Sequence, residues 1–175
     1  SIQNQGLVPA PYLSADQQQA VQSIFKVLSG HRRRPLLITA HRGRGKSAAL
    51  GIAAAELQQQ GKTKLAICAP HPDSAAVALA MAKQHLQQLL PDAEPALRFW
   101  PVDLLLAEKP KLDLLLIDEA AAIPTPQLQR LVAHYSRVVL ASTEHGYEGT
   151  GRGFLLKFQP YLDHHCPGWH KLQLQ

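Results

Sequence analysis

The stretch ITAHRGRGKSAALGIAAA, from Ile38 to Ala55, decides the fold class. An apolar run typical of a buried β-strand enters a loop of glycine and arginine, and an alanine-rich segment typical of a helix follows. A phosphate-binding loop has this setting, because the backbone N–H groups of the loop and the N-terminus of the helix both face an anion. The stretch therefore predicts a nucleotide-binding α/β protein.

The loop fits the P-loop pattern, with Ala40 in the place of the usual first glycine. We predict that the Lys46 ammonium reaches the β and γ phosphates of a nucleotide and that the Ser47 hydroxyl takes one Mg²⁺ position. The predicted nucleotide-binding residues of the loop are Gly43, Arg44, Gly45, Lys46, Ser47 and Ala48. The alternative is a glycine-rich turn whose lysine is merely solvated.

The rest of the chain alternates short apolar runs with helical stretches. Strands are predicted at 36–39, 64–69, 97–100, 112–118, 137–142 and 170–175, and helices at 45–60, 74–90, 126–134 and 153–163. This alternation predicts an α/β sheet with right-handed crossovers, whose strands are mostly parallel. Ligands of such sheets bind at the carboxyl ends of the strands.

Two acids, Asp118 and Glu119, end the most apolar of the predicted strands. We expect Asp118 to order Mg²⁺, largely through water, and Glu119 to orient and deprotonate an attacking water. An acidic pair after a strand is usually a solvated strand end. The P-loop upstream favours the functional interpretation, so Lys46, Asp118 and Glu119 are the predicted catalytic residues.

Composition narrows the class of protein. The chain has 175 residues, a net charge of +5 and a pI near 9.4, which suits a polyanionic partner but is also common on ordinary domains. Cys68 and Cys166 provide no disulfide framework, so we expect a reducing, cytoplasmic setting. No apolar run approaches the roughly 20 residues that span a membrane. We expect the basic run at 31–34 to be a solvated loop or an inter-domain contact rather than an RNA groove.

Further segments resemble helicase motifs. The run DEAA that begins at Asp118 resembles the DExx box of superfamily 1 and 2 helicases. The segment around Gln17 resembles one that precedes the P-loop in superfamily 1, where a glutamine reads the adenine edge. The loop at 71–74 stands where helicases contact the nucleic-acid backbone, although Ser74 could equally be a helix N-cap.

Past the predicted strand at 137–142, a Ser-Thr pair and a glycine-rich segment resemble the helicase region that couples nucleotide state to a partner lobe or to RNA. The residues concerned are Ser142, Thr143, Gly146, Tyr147, Glu148, Gly149 and Arg152. The segment is predicted to be a mobile functional loop. The alternative is a flexible surface loop without a role.

The runs RGRGKSA, LLIDEAAAIP and STEHGYEGTGRGF together resemble the helicase-like module of bacterial tRNA(Met) cytidine acetyltransferases and their eukaryotic RNA cytidine acetyltransferase relatives. The resemblance covers the chain from about Leu13 onward. It implies a three-layer RecA-like lobe in an enzyme that acetylates N4 of the wobble cytidine of elongator tRNA(Met). That enzyme uses acetyl-CoA together with ATP or GTP and Mg²⁺.

The resemblance also implies parts that this chain does not carry. We expect residues 1–175 to form a single RecA-like lobe, a fragment of a multidomain protein in which a second lobe and an acetyltransferase domain act in cis. A partner lobe usually supplies an arginine finger, which contributes about 10³–10⁵ in rate. The isolated lobe is therefore expected to bind nucleotide weakly and to hydrolyse it very poorly. The alternatives are the first lobe of a superfamily 1 or 2 RNA or DNA helicase and a non-catalytic P-loop scaffold.

Overall fold

The apolar runs of the sequence become the strands of one parallel sheet. The computed structural model of the chain describes residues 14–41, 43–144 and 150–175. The strands in these residues are β1 (Leu36–Ala40), β2 (Leu65–Cys68), β3 (Leu97–Phe99), β4 (Leu114–Ile117), β5 (Val138–Thr143) and β6 (His170–Leu174). Their order is β3-β2-β4-β5-β1-β6, and every pairing is parallel. The prediction of a mostly parallel α/β sheet is confirmed.

Helices cover both faces of the sheet. They are α1 (Ala15–Ser29), α2 (Gly43–Gln59), α3 (Ala76–Leu89), α4 (Val102–Glu108), α5 (Thr125–His134) and α6 (Thr150–His165). One buried cluster packs α1, α2 and α3 against alternate strand residues such as Ile38, and a second packs α4, α5 and α6 against the others, such as Leu37. Side chains of a strand alternate between faces, so the near-continuous apolar strands supply both layers. The result is the predicted three-layer RecA-like arrangement.

Two helices were missing from the sequence prediction. In α1, the Ser14 hydroxyl caps the N-terminus by accepting a hydrogen bond from the Gln17 backbone N–H at 3.2 Å. The buried residues Ala20, Ile24 and Val27 recur at helical spacing. Helix α4 has only seven residues, and its run of leucines is too short to show the periodicity of a helix.

Some boundaries also differ from the prediction. The helix expected at 74–90 is a 3₁₀ turn, Pro72–Ala75, followed by α3. Ser74 lies inside that turn and does not cap α3, whose N-terminus has no side-chain cap, so the N-cap alternative is wrong. Helix α6 begins three residues earlier than expected and continues through Pro160. Among the described residues, no helix is both long enough and apolar enough to cross a membrane.

Helices α2 and α3 approach each other closely at Gly51, which predicts a sensitive position. A Cβ there would lie 2.2 Å from the Ala78 carbonyl oxygen and 2.8 Å from the Ala82 nitrogen. Because these are backbone atoms, the helices must separate, and we expect Gly51→Ala to lower the free energy of unfolding by about 1–3 kcal/mol. Urea denaturation measures the change.

The matched control is Gly153→Ala in α6. A Cβ at this position has no neighbour within 4 Å. Alanine is also the better helix former, so we expect unchanged stability or a gain of up to about 1 kcal/mol. Equal effects of the two substitutions would show that the close approach of α2 and α3 does not constrain the fold.

Candidate nucleotide site

The carboxyl edge of the sheet brings the predicted lysine, serine and acids together. Lys46 and Ser47 lie in the first turn of α2, which leaves β1, and Asp118 follows β4 directly. Strand β5 separates β1 from β4, so the lysine reaches across one strand to the acids. The side chains of Lys46 and Asp118 are fully buried, and Ser47 is 5% exposed.

The Lys46 ammonium is the centre of this cluster. Its Nζ donates to Asp118 Oδ1 at 2.6 Å and to Glu119 Oε1 at 2.7 Å. The Ser47 hydroxyl donates to Asp118 Oδ2 at 2.7 Å. Asp118 Oδ1 also accepts a hydrogen bond from the Glu119 backbone N–H at 2.9 Å. Both oxygens of the buried carboxylate therefore have hydrogen-bond partners. A buried charge is tolerated when it is paired and hydrogen-bonded in this way.

The cluster carries an excess of negative charge. One ammonium faces two carboxylates within ion-pair distance. The Ser47 hydroxyl and the Asp118 carboxylate are oxygen donors of the kind that Mg²⁺ prefers. The donor set therefore fits the magnesium site predicted for Ser47 and Asp118.

Glu119 has an unusual backbone. Its φ of 49° and ψ of 47° lie in the left-handed region, which costs a residue with a Cβ roughly 1–2 kcal/mol. The side chain is held by Lys46 and also accepts from the Thr143 hydroxyl at 3.3 Å. Strained backbone of this kind clusters at functional sites, where surrounding contacts maintain it.

The glutamine predicted to read adenine lies against the phosphate loop. Gln17 is 3% exposed, and its Nε2 donates to the Gly45 carbonyl oxygen at 3.1 Å. Beside it is a cavity of about 350 Å³ lined by Ser14, Asp16, Gln17, Ala40, His41, Gly45, Lys46, Leu174 and Gln175. The cavity thus joins the start of α1 to the P-loop lysine. Its position is where a base and a ribose would lie if the phosphates lay at the loop.

The predicted coupling residues divide into two groups. Thr143 contacts Glu119, as described above, and Ser142 is buried beside Thr39 on the neighbouring strand. Within the described ranges neither the Ser142 nor the Thr39 hydroxyl has a hydrogen-bond partner. Gly146, Tyr147, Glu148 and Gly149 lie outside the described residues, and the side chains of Arg44 and Arg152 do as well. The sequence does not distinguish Thr39, because a threonine inside an apolar strand is common.

The cysteines are not candidates for nucleophiles. Cys68 ends β2 with its side chain fully buried, and burial raises the pKa of its thiol to about 12. Burial also raises the pKa of the Cys166 thiol. Because the thiolate is the reactive form, both side chains behave as small apolar residues at neutral pH.

Comparison with known proteins shows which proteins this chain is similar to. The model of the family described as RNA cytidine acetyltransferase NAT10/TcmA, helicase domain, matches residues 37–175. A relative from Nitrosococcus halophilus, called tRNA(Met) cytidine acetyltransferase TmcA, is 47% identical over 97% of this chain and 24% of its own length. Relatives of the same name from Vibrio cholerae and Thermofilum pendens are 46% and 35% identical over 91% and 70% of the chain. The chain spans about a quarter of the length of the first two relatives.

The buried ion pair predicts a strong energetic coupling between α2 and β4. We expect Lys46→Met to cost about 3–5 kcal/mol of unfolding free energy, because it leaves the Asp118 carboxylate buried without its cation. Combined with Asp118→Asn in a double-mutant cycle, the coupling should reach roughly 2 kcal/mol. Urea denaturation of the four proteins measures it.

The more exposed ion pair of Lys171 and Glu144 is the control. Its nitrogen and oxygen are 3.6 Å apart, and the lysine side chain is 36% exposed. The cycle of Lys171→Met and Glu144→Gln should give less than about 1 kcal/mol. A coupling at Lys46 no larger than this would contradict the assignment of the buried pair as the contact that joins α2 to β4.

Proposed function

The chain belongs to the family of RNA cytidine acetyltransferase helicase domains, and on that premise we propose that it is the ATP- or GTP-binding RecA-like lobe of an enzyme that acetylates N4 of the wobble cytidine of elongator tRNA(Met). One observation carries the nucleotide part of the proposal. Lys46, Ser47, Asp118 and Glu119 are in direct contact at the carboxyl edge of a parallel sheet. The acetylation part rests on the family.

Each residue of the cluster has a separate role in this proposal. Lys46 would exchange its carboxylate partners for the β and γ phosphates of the nucleotide. Ser47 and Asp118 would hold Mg²⁺, which would supply positive charge that stabilises the phosphates. Glu119 would orient and deprotonate the attacking water once Lys46 has moved away. The backbone N–H groups of the loop and the N-terminus of α2 would stabilise the phosphates.

Nucleotide binding would drive acetylation by a population shift. A nucleotide that binds better to a closed pair of lobes favours closure, and closure changes how RNA is held near the acetyl donor. We propose that a second RecA-like lobe and an acetyltransferase domain that uses acetyl-CoA act in cis with this chain. Thr143 is suited to report the state of the site, because its hydroxyl contacts the glutamate beside the phosphate loop. A cytoplasmic location fits an enzyme that acts on tRNA.

Two other functions fit parts of the same geometry. A translocating helicase would use an identical lobe together with a second lobe and no acetyltransferase domain. A scaffold without activity could use the same ion pair for stability alone, and it would then bind no nucleotide at this cluster. The family favours the acetyltransferase, because its relatives are named for that activity.

Nucleotide binding by this chain is directly testable. We expect isothermal titration with ATP and Mg²⁺ to give weak binding, and Lys46→Ala to abolish it because the phosphates lose their ammonium partner. Lys83→Ala, which removes an exposed lysine on α3, is the control of equal charge change. Circular dichroism confirms that each variant is folded. Equal affinity of the wild type and Lys46→Ala would contradict the proposal.

Hydrolysis should depend on Glu119 separately from binding. In a protein that carries this chain with its partner lobe, we expect Glu119→Gln to lower kcat for ATP hydrolysis by about 10²–10⁴ because the general base is lost. Nucleotide affinity should stay the same or increase, since Lys46 loses a competing carboxylate. A loss of affinity with unchanged kcat would instead assign Glu119 to nucleotide binding.

A further inference from the structure

A cavity at the opposite edge of the sheet has no role in the function proposed above. Its volume is about 490 Å³, larger than the cavity beside the P-loop. It lies between the C-terminal half of α1 and the first residues of β1 and β6, lined by Gln19, Ser23, Lys26, Val27, Ser29, Gly30, His31, Arg34, Leu36, His170, Lys171 and Leu172. Five of these residues are basic, and the lining contains no acid.

We propose that this amino-edge cavity binds the phosphodiester backbone of RNA, with Lys26 and Arg34 as the phosphate-binding residues. The proposal rests on the proposed function in one respect, because it takes RNA as the polyanion. Basic side chains supply most of the sequence-independent affinity of a protein for nucleic acid. The net charge of +5 is consistent with such a partner.

The cations of this region divide into two classes by their contacts. Arg33 donates from Nη1 to the Ala133 carbonyl oxygen, and Arg137 donates to the carbonyl oxygens of Val27 and Gly30. These two guanidinium groups are therefore structural. By contrast, no hydrogen bond or ion pair within the described residues occupies the Lys26 ammonium or the Arg34 guanidinium. Both remain available for a ligand.

The structural arginine also improves the site for an anion. The C-terminal end of a helix carries partial negative charge, and α1 ends at this cavity. Arg137 binds the carbonyl oxygens of its last turn and offsets that charge. Lys171 contributes less, because its ammonium turns away to Glu144.

Arg34 is placed by its neighbour Gly168. A Cβ at position 168 would lie 2.8 Å from both Cγ and Nε of Arg34, so the arginine stem rests directly over the glycine. The apolar lining of Val27, Leu36 and Leu172 offers a surface for a ribose or a base. A cationic rim over an apolar floor suits a nucleotide unit better than a carboxylate side chain of a protein partner.

The site is separate from the nucleotide site. Leu36 lines this cavity and Ala40 lines the other, at opposite ends of β1. Four residue steps along a strand span about 13 Å. RNA bound here would therefore not exclude a nucleotide from the P-loop. Residues 31–34 are all exposed, as expected of a solvated loop, and the proposal goes beyond that expectation by assigning Arg34 to a cavity that binds RNA.

The test measures binding of a fluorescent, unmodified transcript of elongator tRNA(Met) to this chain by anisotropy over a salt series. We expect the double variant Lys26→Ala/Arg34→Ala to weaken binding about tenfold or more and to reduce the log–log salt slope by about 1.4–1.8, equivalent to two lost phosphate contacts. The control, Lys62→Ala/Lys83→Ala, removes two exposed lysines elsewhere and should weaken binding much less. Gly168→Ala keeps every charge but displaces Arg34, so it should produce a smaller loss of RNA affinity.

Several results would overturn the inference. Equal losses in both double variants would mean diffuse charge attraction, and no RNA binding by the wild type would mean no site. Displacement of the RNA by ATP and Mg²⁺ would place it at the carboxyl edge instead. Poly-glutamate that binds more tightly than the RNA, with the same dependence on Lys26 and Arg34, would identify an acidic protein as the partner. The nucleotide titration of Lys46→Ala is unaffected by all four, so the two proposals fail separately.

Discussion

The contact between the Lys46 ammonium and the Asp118 carboxylate is the constraint on which the candidate site depends. It joins the first turn of α2 to the end of β4 across the intervening β5. The charged atoms are fully buried, so each would be strongly destabilising without the other. Burial of this pair requires the sheet order to be correct, and the remaining contacts of Ser47 and Glu119 follow from it.

The same contact ties the proposed chemistry to the nucleotide. Glu119 shares its Oε1 between Lys46 and Thr143, and its backbone is held in the left-handed region. In this structure the Glu119 carboxylate is engaged by the Lys46 ammonium and not free to contact a water molecule through the same oxygen. Nucleotide phosphates that compete for Lys46 would break its ion pair with Glu119, so the Glu119 carboxylate would become free when a substrate is bound. The strain at Glu119 is consistent with a residue whose position is set by function rather than by local preference.

The sequence predicted the sheet and the four central residues of the site because each carried a local signal. The P-loop pattern identified Lys46 and Ser47 as candidate site residues. The apolar strand that ends in two acids identified Asp118 and Glu119. The two acids were expected near the P-loop, but their direct contacts with Lys46 were not predictable, since these distances depend on which strands are neighbours in the sheet. The position of Arg34 over Gly168 was not predictable for the same reason, because it comes from tertiary packing between segments more than 130 residues apart.

Helix α1 connects the two edges of the sheet physically. Gln17, in its first turn, donates to the Gly45 carbonyl of the P-loop, and Lys26, in its last turn, lines the amino-edge cavity. Nine residues of helix separate them by about 14 Å along the axis. The two cavities therefore share one helix but lie at its opposite ends, so a ligand in one does not contact a ligand in the other.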